Sequence, residues 1–384
     1  MDTLDKFAGD KLARIAAGNL RRTLIPTGRL PPIAAERDGR KMISFACNDY
    51  LGLTQHPKVK QAAIEAIERY GAGAGSSRFV TGNNPLYDAL EARLAKLKGA
   101  ASACVFGSGY LANIGILPSL AGEADLILGD ELMHSCLHAG ARLSRATMLL
   151  FRHNDVGHCR ELLATHRAAH PKCLVITEGV FSMDGDRGPV GELAALAREF
   201  DAWLLTDDAH ALGVIGAGKG SAFRISGKID VPLQMGTLSK AVGAYGGYLC
   251  ASASVIDFIK NRARSLIYST GLPPAVIASS IAALELIETD RELVAKPLEK
   301  ARLFTERMGL TPAQSAIVPV ILGEPETALR ASAALEEQGF LVTAIRPPTV
   351  AEGTSRLRFT FSAAHADADI VRLADWLRSS GIGG

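Results

Sequence analysis

The sequence has no closely paired cysteines. Its six (Cys47, Cys104, Cys136, Cys159, Cys173 and Cys250) are scattered, with no C-x-x-C spacing. That pattern supports neither a zinc site nor a disulfide framework, and it reads as the reduced thiols of a cytoplasmic enzyme. A charge surplus is missing too. With 42 basic against 40 acidic residues the net charge is +2, which gives no electrostatic footprint for nucleic acid or a membrane surface. No apolar run approaches the roughly 18 residues a membrane span needs. The start, Met1 to Lys6, carries two acids and no apolar stretch, which speaks against a signal peptide. There is no internal repeat and no low-complexity tract.

What remains is a chain of 384 residues, 48% of them hydrophobic. That suffices for two domains, or for one large and one small. The reading divides it into an N-terminal arm over 1–45, a large domain over 46–285 and a small C-terminal domain over 286–384. Residues 1–20 are expected to form an amphipathic helix laid on the body, with Leu4, Phe7, Leu12 and Ile15 near one face. Helices are expected at Pro57 to Tyr70 and Pro85 to Lys98. Between them, Gly71 to Arg78 carries alternate glycines. These follow a helix rather than a strand, so they do not make a dinucleotide fingerprint.

From Ala103 to Thr206 short apolar strands alternate with helices. This implies an α/β fold with a mainly parallel sheet. Further strands are expected at Ala316–Leu322, Leu341–Ile345 and Arg356–Phe361, in a smaller α+β unit. A helix capped by Ser254 and a long helix from Pro274 would precede them.

Parallel sheets bind ligands beyond the carboxyl ends of their strands, so the loops there are informative. Gly107-Ser108-Gly109-Tyr110 ends a strand and opens a helix. Its exposed N–H groups and the helix dipole suit a phosphate, although such a turn also forms without one. His134 could stack on an aromatic ring or simply face water at a helix start. Glu178 to Gly185 mixes acids, a hydroxyl and glycines. Asp207-Asp208-Ala209-His210 follows a buried strand, where carboxylates are costly unless used. A metal pair lacks a third ligand at suitable spacing, so no metal is expected. The other use is an acid that keeps a pyridine nitrogen protonated. Gly236-Thr237-Leu238-Ser239-Lys240-Ala241 then presents an amine on a short turn. Alone, Lys240 is an ordinary loop lysine. With the other groups it becomes a lysine that forms an imine with a carbonyl cofactor. Together the loops describe a pyridoxal 5′-phosphate site.

Several stretches carry a family resemblance: Asn48 to Leu53, Gly75 to Arg78 with Thr81-Gly82, Phe106 to Asn113, His153-Asn154-Asp155, Glu178 to Asp184, Asp207 to His210, and Thr237 to Lys240. In these the chain resembles the α-oxoamine synthases, a branch of the fold-type I pyridoxal phosphate transferases. The resemblance runs from Arg21 to the C-terminal helix. It implies that Lys240 carries the cofactor and moves the substrate α-proton. It places Asp207 at the ring nitrogen, His210 and Ser182 at the ring hydroxyl, and His134 over the ring and beside the substrate. Gly109, Tyr110 and Thr237 would hold the phosphate. Thr270 would reach the neighbouring subunit's phosphate, which implies a homodimer with its active site at the interface.

Arg358 and Arg346 are candidates for the amino-acid carboxylate, with Asn48 also on the substrate side. Thr349 and Arg21 would meet the acyl substrate, with Arg22 the neighbouring choice to Arg21. Tyr87 stands where the family often has histidine, at a position that looks structural. The stretch Ala344 to Val350 with Gly353 to Arg358 is similar to the members that condense L-alanine with a pimeloyl thioester, on CoA or an acyl carrier, in biotin biosynthesis. Members that use glycine with another acyl-CoA, an aminotransferase, and a non-catalytic scaffold are the alternatives.

Overall fold

The computed structural model describes residues 3–382. Its centre is a seven-stranded sheet. In spatial order the strands are Ser102–Phe106, Gly247–Ala251, Leu233–Thr237, Trp203–Asp207, Cys173–Glu178, Leu126–Asp130 and Thr147–Phe151. Gly247–Ala251 pairs antiparallel with both neighbours, and every other pairing is parallel. The strands read as continuous apolar runs because both faces are covered. Their twofold side-chain period sorts them into two layers. Leu174 and Ile176 pack with Ala112, Ile116 and Leu137 on one face, while Cys173 and Val175 pack with Cys159, Leu163 and Leu193 on the other.

The C-terminal part has its own core of Phe304, Phe359, Phe361 and Leu373, which Phe45 enters from the N-terminal side. A three-stranded antiparallel sheet of Ile317–Gly323, Ser355–Thr360 and Thr343–Ile345 backs it.

Three local expectations change. The single strand expected at Leu341–Ile345 is two. Phe340–Leu341 pairs with Ile43–Ser44, and Thr343–Ile345 pairs with the Ser355 strand. Buried Val342 turns the chain between two sheets, a long-range choice that periodicity does not reveal. Residues 28–44, expected in an arm, form strands joined to that same edge. The cap of helix Ala253–Arg262 is Ser252, whose Oγ accepts from Val255 N at 3.3 Å, not Ser254. Helix Thr3–Ala17 forms, but none of its residues is buried, and Phe7 is 60% exposed. The first two residues of the expected helix lie outside the described residues. No helix among the described residues is long and apolar enough to cross a membrane.

Candidate active site

The expected groups stand where five strands end. Phe106, Asp130, Glu178, Asp207 and Thr237 are the last residues of their strands. Parallel pairing of neighbours therefore brings four of these ends to one edge of the sheet.

Asp207 is buried, and both of its oxygens are fixed. Oδ1 accepts from Ala209 N at 2.9 Å, and Oδ2 from Asn113 Nδ2 at 2.9 Å. Asn113 lies fully buried in helix Gly109–Leu120 and also donates to Cys136 Sγ at 3.1 Å. Asp208 points elsewhere. It pairs with Lys98 at 2.5 Å, both side chains fully buried, and accepts from Ser221 Oγ at 2.5 Å. The two adjacent acids thus divide into one at the site and one in a structural pair.

Lys240 sits on a tight turn. Gly243 N donates to its carbonyl at 2.8 Å, and Ala244 N donates to Leu238 O at 2.9 Å. Gly243 has φ 71°, and a Cβ there would stand 2.7 Å from Thr54 N. The turn needs glycine for its backbone angle and for space. The Lys240 side chain is half-buried and has no hydrogen bond among the described residues. Burial lowers its pKa, opposed by the charges of Asp207 and Glu178 and assisted by Arg358. An amine held this way loses its proton more readily than a solvated one, the condition for a nucleophile or base.

His134 caps helix Ser135–Ser144, with Nδ1 accepting from Cys136 N at 3.2 Å. Its own N donates to Glu178 Oε1 at 2.5 Å. Burial lowers its pKa against the pull of Asp207. Glu178 is held well above the usual carboxylate range by burial and by Asp207.

His210 is buried, with Nδ1 2.6 Å from Tyr50 Oη, and Tyr50 donates to Asn48 Oδ1 at 3.1 Å. The contact engages His210 Nδ1 and leaves Nε2 without a hydrogen-bond partner among the described residues. Burial, then Lys240 and Arg358, push its pKa well below the histidine range, so the ring is neutral. Burial pushes Tyr50 up to about 12. Arg358 is buried, donating to Ser182 O at 2.5 Å and to Asn48 Oδ1 at 3.2 Å. It therefore joins Asn48 and Ser182 at the seam between the large sheet and the C-terminal unit.

Gly109 and Thr237 touch. A Cβ on Gly109 would lie 3.3 Å from Thr237 Cβ. Thr237 Oγ1 donates to Gly246 O at 2.7 Å and lies 2.9 Å from Ser239 Oγ. Tyr110 follows at the helix start, half exposed. Thr270 is exposed and bridges Ser77. Arg346 donates to Asn19 O at 2.5 Å. Of the two neighbouring arginines it is Arg22 that reaches the loop, with Nη2 donating to Thr349 Oγ1 at 2.9 Å. Arg21 is exposed, with no hydrogen bond among the described residues. Tyr87 is structural: its Oη accepts from Leu272 N at 2.6 Å, and Arg78 stacks over its ring.

Motif reading assigned no role to Asn113, Tyr50 or Cys136. Asn113 had one signal, an amide on the inner face of a helix opened by a glycine turn. The other two become visible only when the strand ends meet.

These residues suit pyridoxal phosphate: a carboxylate fixed at both oxygens, a readily deprotonated amine, a neutral histidine with an unengaged ring nitrogen, and a glycine-lined helix start. Among the described residues no cluster could hold a metal.

Comparison with known proteins agrees. The family model for aminotransferase class I and II matches residues 40–377. The chain is 60% identical over 375 residues to the 8-amino-7-oxononanoate synthase of Beijerinckia indica, covering 98% of this chain and 97% of the relative. It is 63% identical over 342 residues to that of Methylocella silvestris, covering 89% and 97%. Among solved structures, serine palmitoyltransferase from Sphingomonas wittichii superposes with TM-score 0.92 at 30% identity, over 100% of both chains. The serine palmitoyltransferase of S. paucimobilis with bound PLP–myriocin gives 0.92 at 29%, over 99% and 98%.

Proposed function

Because the chain belongs to the aminotransferase class I and II family, and within it to the pyridoxal phosphate-dependent α-oxoamine synthases, we propose that it condenses L-alanine with a pimeloyl thioester. CO₂ is lost and 8-amino-7-oxononanoate is formed, a step of biotin synthesis. The observation that carries the chemistry is Lys240, an amine without a hydrogen bond among the described residues, whose pKa burial lowers, in the field of Asp207, Glu178 and Arg358.

Bound pyridoxal phosphate supplies an electron sink for the carbanion at the amino-acid Cα. The protein's part is to place and protonate. Asp207, immobilised by Asn113 and Ala209, holds the proton on the pyridine nitrogen. Lys240 would carry the cofactor, and its Nζ would take and return the α-proton. His210 and Ser182 would hold the ring hydroxyl, and His134 would pack against the ring. Gly109, Tyr110 and Thr237 hold the phosphate. Arg358, with Asn48, would grip the amino-acid carboxylate and so orient the substrate. Thr349 and Arg22 face the acyl substrate, with Arg22 preferred to Arg21 because of its bond to Thr349, and Arg346 is the second candidate for the amino-acid carboxylate.

The protein works as a cytoplasmic homodimer in this reading. Thr270 lies on an exposed surface with Phe79, Val80 and Tyr268 (54%, 74% and 71% exposed). Such a patch is costly for a monomer.

A substrate panel tests the function. L-alanine, glycine and L-serine are each paired with pimeloyl-, acetyl-, succinyl- and palmitoyl-CoA, and CO₂ release is measured. L-alanine with pimeloyl-CoA is expected to give the highest kcat/KM. Preference for glycine with acetyl- or succinyl-CoA would instead assign glycine C-acetyltransferase or 5-aminolevulinate synthase activity.

A further inference from the structure

His153 stands outside the groups just described, yet it joins two of the loops that carry them. It follows strand Thr147–Phe151. Its Nδ1 lies 3.0 Å from Asp130 Oδ1 and its Nε2 2.8 Å from Asp186 Oδ2. A ring with a carboxylate on each nitrogen carries both protons. The edge of that ring meets Phe181, with centroids 4.4 Å apart at 88°. Its backbone N donates to Glu131 Oε1 at 2.9 Å. Asn154, at φ 56°, repeats the bridge, with N to Asp130 Oδ2 at 2.8 Å and Nδ2 to Asp186 Oδ2 at 2.7 Å.

The two carboxylates belong to different parts of the site. Asp130 is fully buried at the end of its strand and accepts from Leu132 N at 2.9 Å, shaping the turn that leads to His134. Asp186 lies on the loop 180–187, which closes through a Val180–Arg187 bridge and through Phe181 N to Asp186 O at 3.0 Å. The far side of this loop meets the C-terminal unit. Ser182 O accepts from Arg358 Nε at 2.5 Å, Asp184 pairs with Arg356 at 2.5 Å, and Gly185 O accepts from Ser315 Oγ at 2.7 Å.

We propose that His153 is a positioning residue for the amino-acid substrate. By clamping Asp186 to Asp130 it holds loop 180–187 in place, and the Ser182 carbonyl on that loop holds the Arg358 guanidinium where the substrate carboxylate arrives. The proposal rests on the reading of Arg358 given above. It assigns a use to His153-Asn154, a motif that the reaction itself leaves unexplained. The ring touches no reacting atom and acts through two intermediaries.

The test uses holoenzyme of His153→Gln, Asp186→Asn and the double variant. Both KM values, kcat, the thermal midpoint and amide hydrogen exchange of the 178–188 segment are measured. The expected result in each single variant is a rise of about tenfold in KM for L-alanine, the scale of a misplaced binding group. KM for pimeloyl-CoA should stay within twofold, and exchange in 178–188 should be faster. The double variant should be no worse than the worse single one, because both break one clamp. A lower thermal midpoint with both KM values unchanged would overturn the proposal, as would an equal rise in both. If His153→Gln gives no folded protein, Asp186→Asn decides by the same criteria. Arg358→Gln is run alongside: an unchanged L-alanine KM there refutes the Arg358 reading itself, whatever the His153 variants do.

Discussion

Burial lowers the pKa of both His365 and His153, yet the two end up shifted in opposite senses because their neighbours differ. His365 stacks on Phe45 at 4.1 Å, accepts from Ser362 N at 2.9 Å, and has Nε2 3.2 Å from Ser44 O. No carboxylate compensates, and burial lowers its pKa to about 4. The unfolded chain, with an ordinary histidine near 6.5, binds this proton first as pH falls. The contribution of His365 to stability is therefore complete above about pH 6.5 and is lost as pH falls toward 4, by roughly 3 kcal/mol. Urea midpoints at pH 7 and pH 4.5 should show this loss, and His365→Gln should flatten it while lowering stability at pH 7.

Facing Asp130 and Asp186, His153 is raised to about 10, its own burial opposing the shift. Its stabilisation is complete below about 6.5 and disappears as pH rises through 10. At the same scale, Asp208→Ala should cost about 3–5 kcal/mol, because it strands the Lys98 charge in a dry site. Asp208→Leu combined with Lys98→Met should recover most of that. Denaturant unfolding of the three variants checks the pattern.

At the scale of elements, the site depends on how closely two helices approach. Gly140, on the helix after His134, lies where a Cβ would stand 2.6 Å from Asn113 O. Gly140→Ala must push Ser135–Ser144 away from Gly109–Leu120, at about 1–3 kcal/mol for overpacking. Because Asn113 holds Asp207 and Cys136 lies on the displaced helix, cofactor affinity should fall with stability. Equilibrium dialysis of pyridoxal phosphate beside a thermal melt measures both. A removed helix cap is the contrast: Ser252→Ala should cost about 1 kcal/mol and leave cofactor affinity unchanged, since that helix end lies outside the site.

For the whole molecule, the exposed apolar patch is the feature that a single chain leaves unexplained. The bridge between Ser77 and Thr270 brings the Arg78–Gly82 turn against the segment carrying Tyr268. If this face is the dimer contact, Val80→Asp should shift the protein toward monomer in sedimentation velocity. It should also lower cofactor retention, because Thr270 lies on the same face.

Much of this was open to inspection in the chain itself. Apolar runs buried on both faces announced the parallel strands, and Pro57–Tyr70 begins and ends where it was expected, because such signals are local. Asp207 and His210 stood out because a charge at the end of a buried strand is expensive unless it is used, and Lys240 stood out only in the company of those strand-end groups. Tertiary structure decided the rest. It alone paired Asp208 with Lys98, placed Arg22 rather than Arg21 at Thr349, and split Phe340–Ile345 between two sheets. It also brought His153 between Asp130 and Asp186. Each of these depends on partners that are distant in sequence, whose distances and fields exist only once the strands have paired.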